Sequence, residues 1–397
     1  MLQGKTITYS FCITVEVLLA SMIAILTAIG QTGLVSLLFA ISFIVAFGYT
    51  LFDTLERKKM HIGGLLALSC LFSVLYSGIR EEATFGFSYF KKLIMFCAFV
   101  FLLYYATKAD FSVPISLLRA LELASLVAGA FLVLSYYVLG NREQMAGGIT
   151  LGFSNPNFTG MWLLHFFLLG VLFVIRAFDG GSKLRLLYIP ILPFLLHLIG
   201  LTLARSCLFG VIFFLLSLVL SRLLYKIPRI VTWFVVLFPL VYAVLYLSIV
   251  DTEWVRETFS FLVSAGKDLN SRVDIWQASF ENFRNAPIFG NYAGLGDGTG
   301  QFQLHNTHID VLCSYGLLSL LLFLKFLSDR IVFVFKHARS FGDRAAVFAF
   351  CTVVAVGAFE AAMVAGSMGL NLLTVSFCVF ALGSRSGYKR RTEHKGD

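Results

Sequence analysis

The chain has 397 residues, of which 58% are hydrophobic and only 13% are charged, and its formal net charge is +9. A soluble domain carries roughly 25% charged residues, so this composition excludes an ordinary soluble domain and favours a membrane protein. An excess of Lys and Arg on one side of a membrane accounts for most of the positive charge, which therefore does not indicate a nucleic-acid-binding protein.

Long apolar runs recur along the chain, each about as long as a helix that crosses the hydrocarbon core of a bilayer. Backbone polar groups must be satisfied inside lipid, so we predict that these runs are α-helices. The sequence thus predicts an all-α integral membrane protein, with residues 1–397 forming a single polytopic domain of about twelve transmembrane helices. The predicted spans are residues 7–29, 33–52, 62–79, 90–107, 115–139, 159–175, 186–203, 206–224, 230–250, 307–335, 345–364 and 367–383.

The distribution of Lys and Arg predicts the orientation of the chain. Basic residues are concentrated in one set of connections, including residues 57–59, 222–229 and the tail 385–395. Because cytoplasmic loops carry an excess of Lys and Arg, we expect both termini to be cytoplasmic. The large loop 251–306, between spans 9 and 10, is then extracytoplasmic.

Two predicted outer loops are polar enough to carry a functional site. The first, residues 140–157, ends in Asn155-Pro156-Asn157. The second, residues 251–306, contains a predicted amphipathic helix from Arg272 to about Phe283, because its apolar residues recur at spacings of three and four. We expect this helix to lie in the membrane interface or against the bundle, with Trp276 at headgroup depth.

Two histidines stand where the second loop meets the tenth span. His305 is expected just outside the apolar run, where a neutral imidazole can accept a proton near neutral pH and act as a general base. A structural role, with the ring hydrogen-bonded to loop backbone, remains the alternative for both His305 and His308. Asn306 can cap the following helix or orient a histidine, and Asp310 is expected to be an ion-pair partner inside the bundle.

Several arginines are predicted on the same side of the membrane. Arg205 lies in a very short turn between two long apolar runs, where a charge is costly unless it has a partner. Arg272 begins the amphipathic helix, and Arg80 and Arg284 also face outward. Planar guanidinium groups bind phosphate oxygens bidentately, so their convergence would suit a phosphate or pyrophosphate; headgroup contacts or surface ion pairs are the alternative.

Three intramembrane acids, Glu16, Glu122 and Glu360, support a competing interpretation, because isolated acids in spans can mark ion or proton paths. They favour a transporter, such as a flippase. His165 and His197 are expected to be packing residues. The seven cysteines form no C-x-x-C pair and no pair of outer carboxylates stands at a fixed spacing, so we expect neither a metal site nor a cofactor.

Four short motifs, in order and at matching spacing, resemble the O-antigen polymerase and ligase family of bacterial envelope glycosyltransferases. The resemblance covers residues 155 to about 320. The motifs are Asn155-Pro156-Asn157; Arg205-Ser206; Ser271-Arg272-Val273-Asp274-Ile275-Trp276 with Asn285-Ala286-Pro287-Ile288-Phe289-Gly290; and His305-Asn306-Thr307-His308-Ile309-Asp310 with Tyr315-Gly316-Leu317-Leu318.

The resemblance implies a GT-C-like membrane enzyme that performs a metal-independent, inverting glycosyl transfer. The donor would be a glycan on undecaprenyl pyrophosphate, and the site would lie at the outer face of a bacterial inner membrane, with loop 251–306 forming part of it. His305 would be the general base on the acceptor hydroxyl, and Arg205 and Arg272 would hold the pyrophosphate. The residues expected to contact substrate are Asn306, Asn157, Arg80, Arg284 and His308.

The resemblance leaves the acceptor open. A polymerase would extend an O-antigen or capsule repeat-unit chain and could work with a chain-length regulator, whereas a ligase would use lipid A core. We favour the polymerase because it occurs more widely. The lipid-linked oligosaccharide or solute transporter and a non-catalytic scaffold remain alternatives.

Overall fold

A computed structural model describes residues 19–31, 33–34, 37–38, 41, 61–107, 113, 115–179, 183–249, 271–295, 304–361, 363 and 368–383. Most of the first two predicted spans, both termini and residues 251–270 and 296–303 of the outer loop lie outside these residues. Glu16 also lies outside them, as does the side chain of Arg272.

The described part of the chain is mostly helical, as its long apolar runs predict. The elements are α1 (Leu19–Ala28), α2 (Ile62–Arg80), α3 (Phe87–Ala106), α4 (Ile115–Tyr137), β1 (Gln144–Met145), β2 (Gly148–Ile149), α5 (Pro156–Phe178), a 3₁₀ turn (Lys183–Tyr188), α6 (Leu192–Leu201), α7 (Arg205–Val219), α8 (Ser221–Leu224), α9 (Pro228–Ile249), α10 (Ser271–Arg284), α11 (Thr307–His337), α12 (Phe341–Val356) and α13 (Met368–Gly383). The strands form a two-stranded antiparallel hairpin in residues 140–157, the first predicted outer loop.

Among the described residues, seven helices are long and apolar enough to cross a membrane. Three shorter apolar helices accompany them, Leu19–Ala28, Arg205–Val219 and Leu370–Leu382. These helices agree with an all-α membrane protein; the total of about twelve spans stays a prediction.

Local sequence sets most helix boundaries. Asn155 caps α5 by accepting a hydrogen bond from the Phe158 N–H, and Pro156 occupies the first helical position, where its missing N–H costs nothing. The predicted span 186–203 differs, because it begins as a 3₁₀ turn and becomes α-helical only at Leu192. Pro190 and Pro193 explain the difference, since proline is accepted only in the first turn of an α-helix.

The tenth span is a broken helix, which corrects the prediction of one continuous span over residues 307–335. Gly316 has φ 83° and ψ 176° inside α11. The rings of His308 and Phe323 are 5.6 Å apart, whereas fifteen residues of straight helix would separate them by about 22 Å. The chain therefore turns back on itself at Gly316. Residues 307–315 form a short re-entrant helix, and residues 317–337 form a helix of about 31 Å, one bilayer core in length.

The break places residues 304–307 deep in the bundle. The Asn306 side chain donates to the Pro239 carbonyl, near the middle of the 22-residue helix α9. From there the re-entrant helix runs to Gly316, and the next residue, Leu317, donates its N–H to the Pro287 carbonyl of the predicted outer loop. His305 stands just before the apolar helix, as expected, but residues 304–306 lie about halfway along α9 and not at its end.

Apolar side chains of α2, α3, α5, α7, α12 and α13 pack with both parts of α11 into one core. Phe96 on α3 stacks on Tyr315 and meets Phe323 edge-on, so a single ring contacts both sides of the break. A second, smaller cluster lies under α10 and includes Ala243, Trp276 and Ile309. The candidate site lies between these two clusters.

Candidate active site

His305 stands immediately before the re-entrant helix in a left-handed conformation, with φ 49°. Few non-glycine residues adopt such a backbone, and those that do are concentrated at functional sites. Its side chain is 35% exposed, and its Nδ1 lies 3.1 Å from Oε2 of Glu360. The structure thus joins the predicted base to a carboxylate 55 residues away in the chain.

Backbone contacts on both sides fix this pair. Asn306 caps the re-entrant helix by accepting from the His308 and Ile309 N–H groups, and its amide donates to the carbonyls of Pro239 and Ala358. These four bonds use the hydrogen-bonding groups of a completely buried side chain. In this structure Asn306 therefore anchors the chain, and its expected contact with substrate stays a prediction.

Thr307 completes the attachment of residues 305–307 to the segment that follows α12. Its N–H donates to the Gly357 carbonyl at 2.8 Å, and its hydroxyl donates to the Glu360 carbonyl at 3.1 Å. Two short segments from different parts of the chain are therefore joined by main-chain and side-chain bonds, and the contact between His305 and Glu360 is held in place.

His308 occupies a different environment from His305. Its ring is completely buried and packs edge-on against Phe323. Of the two histidines that the sequence left open, only His305 is accessible, so the structure favours His305 as a proton acceptor.

Glu360 is one of the three intramembrane acids that favour the competing transporter interpretation, together with Glu16 and Glu122. Glu122 instead makes a bidentate ion pair with Arg185, at 2.9 and 2.7 Å, while Glu360 faces His305. No local pattern connects residues 305 and 360, so only the fold brings them together.

The start of α7 packs beside the segment that carries Glu360. Arg205 is exposed at the first position of this helix, after a turn in which the Thr202 hydroxyl accepts from the Ala204 N–H. One helical turn further, the ring of Phe209 lies 5.0 Å from the ring of Phe359, the neighbour of Glu360. Arg205 thus stands one helical turn before a residue that contacts the neighbour of Glu360.

The first predicted outer loop, residues 140–157, packs against the same turn. A Cβ on Gly148 would lie 2.3 Å from the Thr202 carbonyl oxygen, so only glycine permits this approach. Asn157 lies half-buried in the first turn of α5, whereas its neighbour Asn155 makes the helix cap. The loop therefore supports the turn that presents Arg205.

The amphipathic helix of the second loop forms as predicted and is observed as α10. Trp276 is completely buried and donates from Nε1 to the Leu304 carbonyl at 2.6 Å, one residue before His305. Its ring centroid lies 5.6 Å from that of Tyr246 on α9. The ring is enclosed by protein, so α10 lies against the bundle, and the expected depth of Trp276 at the headgroups stays a prediction. Arg272 stands one helical turn before Trp276 on the same helix.

The glycine-containing segment after α10 packs against the break in α11. Gly290 and Gly316 both have positive φ, and a Cβ on Gly316 would lie 2.1 Å from the Ile288 carbonyl oxygen. The Tyr292 hydroxyl donates to the Tyr89 carbonyl at 2.7 Å. Burial, with smaller contributions from Tyr89 and Asp310, raises the pKa of Tyr292 well above its usual range, so this hydroxyl remains a neutral donor.

Two further predicted arginines lie at the edge of this region. Arg80 pairs with Glu81 at 2.7 Å and donates to the Asn285 carbonyl at 3.3 Å, so it ties α2 to the segment after α10. Arg284 is exposed in the last turn of α10. Their expected contacts with substrate stay predictions.

Two other expectations about buried polar residues are confirmed. Asp310 forms an ion pair with Lys92, and both side chains are buried. His165 is satisfied inside the bundle by the Met161 carbonyl and the Thr374 hydroxyl. Both contacts are buried inside the bundle, as is usual for interactions that stabilise a fold.

Comparison with known proteins gives one match. Residues 190–324, about a third of the chain, match the family model described as O-antigen ligase. No curated protein and no solved structure matches the chain significantly. The matched segment begins fifteen residues before Arg205 and includes α10, His305 and the re-entrant helix. Residues 190–324 are thus similar to an O-antigen ligase domain, in a chain whose described residues include seven helices long and apolar enough to cross a membrane.

Proposed function

We propose that the protein is a polysaccharide polymerase that transfers a glycan from undecaprenyl pyrophosphate to a sugar hydroxyl of an acceptor glycan. The observation that carries the proposal is the position of His305. It lies within the family-matched segment, is partly exposed at mid-depth of α9, and is hydrogen-bonded to a carboxylate. Irregular backbone at that depth is tolerated where it lines a cavity.

The proposed reaction is a single displacement with inversion. The acceptor hydroxyl oxygen attacks the anomeric carbon of the donor, and the bond from that carbon to the pyrophosphate oxygen breaks. His305 takes the hydroxyl proton on Nε2, because Nδ1 is occupied by the contact with Glu360. The products are the extended glycan and undecaprenyl pyrophosphate.

Arg205 and Arg272 are proposed to bind the pyrophosphate and to stabilise the charge that develops as it leaves. Two placements support this role. Arg205 begins a helix that packs beside the Glu360 segment, and Arg272 belongs to the helix that donates to the carbonyl preceding His305. Pyrophosphate is negatively charged, so guanidinium groups can bind its oxygens and stabilise the negative charge of the leaving group.

We propose that the reaction takes place at the outer face of a bacterial inner membrane, with both termini in the cytoplasm. The distribution of Lys and Arg supports this orientation. A lipid-linked donor would then reach His305 from the outer leaflet, and a chain-length regulator could act on the growing glycan at the same surface.

The proposal is tested with purified protein in liposomes that contain a glycan on undecaprenyl pyrophosphate. The wild type is expected to join repeat units, and replacing Arg205 or Arg272 by Gln should lower transfer about 100-fold, as for loss of one transition-state charge partner. Arg222→Gln, an exposed cation of the connection after α7, is the control and should be neutral.

The acceptor distinguishes the related activities. Supplying lipid A core in place of a second repeat unit separates a ligase from a polymerase. Movement of intact donor across the bilayer, with no glycosidic bond formed, would contradict the enzymatic proposal and favour a transporter.

A further inference from the structure

We infer that Glu360 is the positioning residue of the catalytic base. Its carboxylate accepts a hydrogen bond from the Nδ1–H of His305. This bond fixes the tautomer in which Nε2 carries the lone pair. This inference rests on the proposed function, since it assigns a role to Glu360 in the proton transfer by His305.

The geometry supports a fixed pair. The 3.1 Å contact joins two segments that three further hydrogen bonds hold together: Asn306 to Ala358, and Thr307 to both Gly357 and Glu360. A supported contact of this kind orients a reactive group far better than two free side chains do.

The two side chains of the pair differ in burial, which shows which edge of the His305 ring a substrate can reach. The Glu360 side chain is 10% exposed and the His305 side chain is 35% exposed. The carboxylate thus holds the ring from the protein interior, and the opposite edge of the ring is the accessible one. An acid at this depth is costly without a partner, and an imidazole that becomes cationic as it takes a proton is a suitable one.

The proton balance follows from this arrangement. The hydroxyl proton goes to Nε2 of His305, the Nδ1 hydrogen stays between the ring and Glu360, and the carboxylate remains ionised. Glu360 stabilises the imidazolium by its charge and does not itself take the proton.

The test compares Glu360→Gln, Glu360→Asp and His305→Ala in the full-length protein, with Glu281→Gln, an exposed acid on α10, as control. We expect Glu360→Gln to lower transfer about 10- to 1,000-fold and Glu360→Asp to lower it less. Loss of the carboxylate also makes the imidazolium less stable, so the acidic limb of the rate–pH profile should move to lower pH. A purely structural role would not move that limb.

The outcomes separate the two proposals. Wild-type transfer and an unmoved pH profile in folded Glu360→Gln, with His305→Ala inactive, would overturn the role of Glu360 alone. Wild-type transfer in His305→Ala would overturn the proposed function itself.

A different observation carries a second inference, at the other end of the bundle. A cavity of about 440 Å³ lies between the start of α9 and the end of α11. Four cations line it, Arg229, Lys325, Arg330 and Lys336, against a single acid among the described residues. That acid, Asp329, is already paired with Lys325 at 2.6 and 2.7 Å. The cavity therefore has an excess of positive charge.

Two polar groups in this cavity lack partners among the described residues. Ser328 is only 6% exposed, and its hydroxyl has no hydrogen-bond partner there; the same holds for Nε of Arg330. Arg330 donates from Nη1 to the Thr107 hydroxyl at 3.4 Å, and its guanidinium faces the Tyr104 ring. Buried polar groups are normally satisfied, so the cavity is prepared for a ligand with acceptor oxygens.

The surroundings identify the ligand class. Ile230, Trp233 and Phe234 on α9 are 65%, 51% and 59% exposed, so an apolar surface adjoins the basic cavity. We propose that the cavity binds the headgroup phosphate of an anionic glycerophospholipid, with the acyl chains along this surface. Basic pockets between membrane helices on the cytoplasmic side bind such headgroups. The cavity begins ten residues, about 15 Å, along α9 from Pro239, so it is separate from the region of His305.

Thermal unfolding in detergent with added phosphatidylglycerol or phosphatidylcholine tests this site. We expect phosphatidylglycerol to raise the Tm of the wild type by about 3–6 °C more than phosphatidylcholine does. Arg229→Gln combined with Lys336→Gln should lose most of this difference, as should Ser328→Ala in part.

Arg222→Gln combined with Lys226→Gln is the matched control, since it removes two exposed cations from the same end of the bundle outside the cavity. It should keep the full difference. An equal loss in the control, no loss in the cavity variant, or no difference between the lipids in the wild type would each overturn the proposal.

Discussion

Two side-chain contacts lie within six residues on the same stretch of chain, and one of them is far more exposed to solvent than the other. His305 and Glu360 are 35% and 10% exposed, whereas Lys92 and Asp310 are 3% and 0% exposed. The Ser314 hydroxyl further donates to Asp310 at 2.9 Å. The His305–Glu360 contact lies just before the re-entrant helix begins. The Lys92–Asp310 contact lies along the side of that helix and is buried.

The difference shows how one short helix can serve both chemistry and stability. A group that exchanges protons with a substrate must be reachable, and only His305 is. The buried Lys92–Asp310 pair instead ties the re-entrant helix to α3. Breaking the first contact should therefore change rates, and breaking the second should change stability.

The largest effect is expected from His305→Ala. Loss of the general base should lower glycan transfer about 10²- to 10⁴-fold, while the Tm should change little because the ring is partly exposed. Transfer is measured with purified protein in liposomes, and His197→Ala, an exposed histidine on α6, serves as the control. An equal loss of transfer in His305→Ala and His197→Ala would contradict a specific role for His305.

Asp310→Ala tests the buried Lys92–Asp310 ion pair. Removing the carboxylate that faces a buried ammonium should lower the free energy of unfolding by about 3–5 kcal/mol. The exposed pair Lys325–Asp329 supplies the control, because Asp329→Ala should cost less than about 1 kcal/mol. Denaturation of both variants in detergent checks the contrast, and similar costs would contradict it.

Gly316→Ala tests the break that separates the two parts of α11. With φ 83° and a Cβ position 2.1 Å from the Ile288 carbonyl oxygen, alanine should destabilise the protein by about 1–3 kcal/mol. Gly200→Ala meets no atom within 4 Å and should be neutral or stabilising by up to about 1 kcal/mol. Thermal unfolding measures both, and a neutral Gly316→Ala would argue for a continuous helix.

The smallest effect on transfer is expected from Trp276→Phe, which puts a smaller aromatic ring in place of the indole and removes the hydrogen bond to the Leu304 carbonyl. We expect a loss of about 0.5–1.5 kcal/mol in stability, together with a modest fall in transfer because residue 304 precedes His305. Trp233→Phe, at an exposed tryptophan, is the control. A fall in transfer equal to that of His305→Ala would show that α10 does more than support the loop.

Features encoded over a few turns were predictable from the sequence. The apolar spacing around Trp276 predicted α10, and Asn155-Pro156 marked the start of α5. The break at Gly316 was not predictable, because an isolated glycine in an apolar run does not show that the chain reverses there. The contact of Glu360 with His305 was not predictable for a related reason, since the two residues stand 55 positions apart and only the tertiary structure brings them together.

The central claim is that His305 lies where the lipid pyrophosphate donor binds, and chemical modification tests it most directly. Diethylpyrocarbonate should modify the accessible His305 and His197 but not the buried His308 and His165. Donor at about ten times its Kd should slow modification of His305 about tenfold, measured residue by residue by mass spectrometry, and leave His197 unchanged. Modification of His305 at the same rate with and without saturating donor would contradict the account.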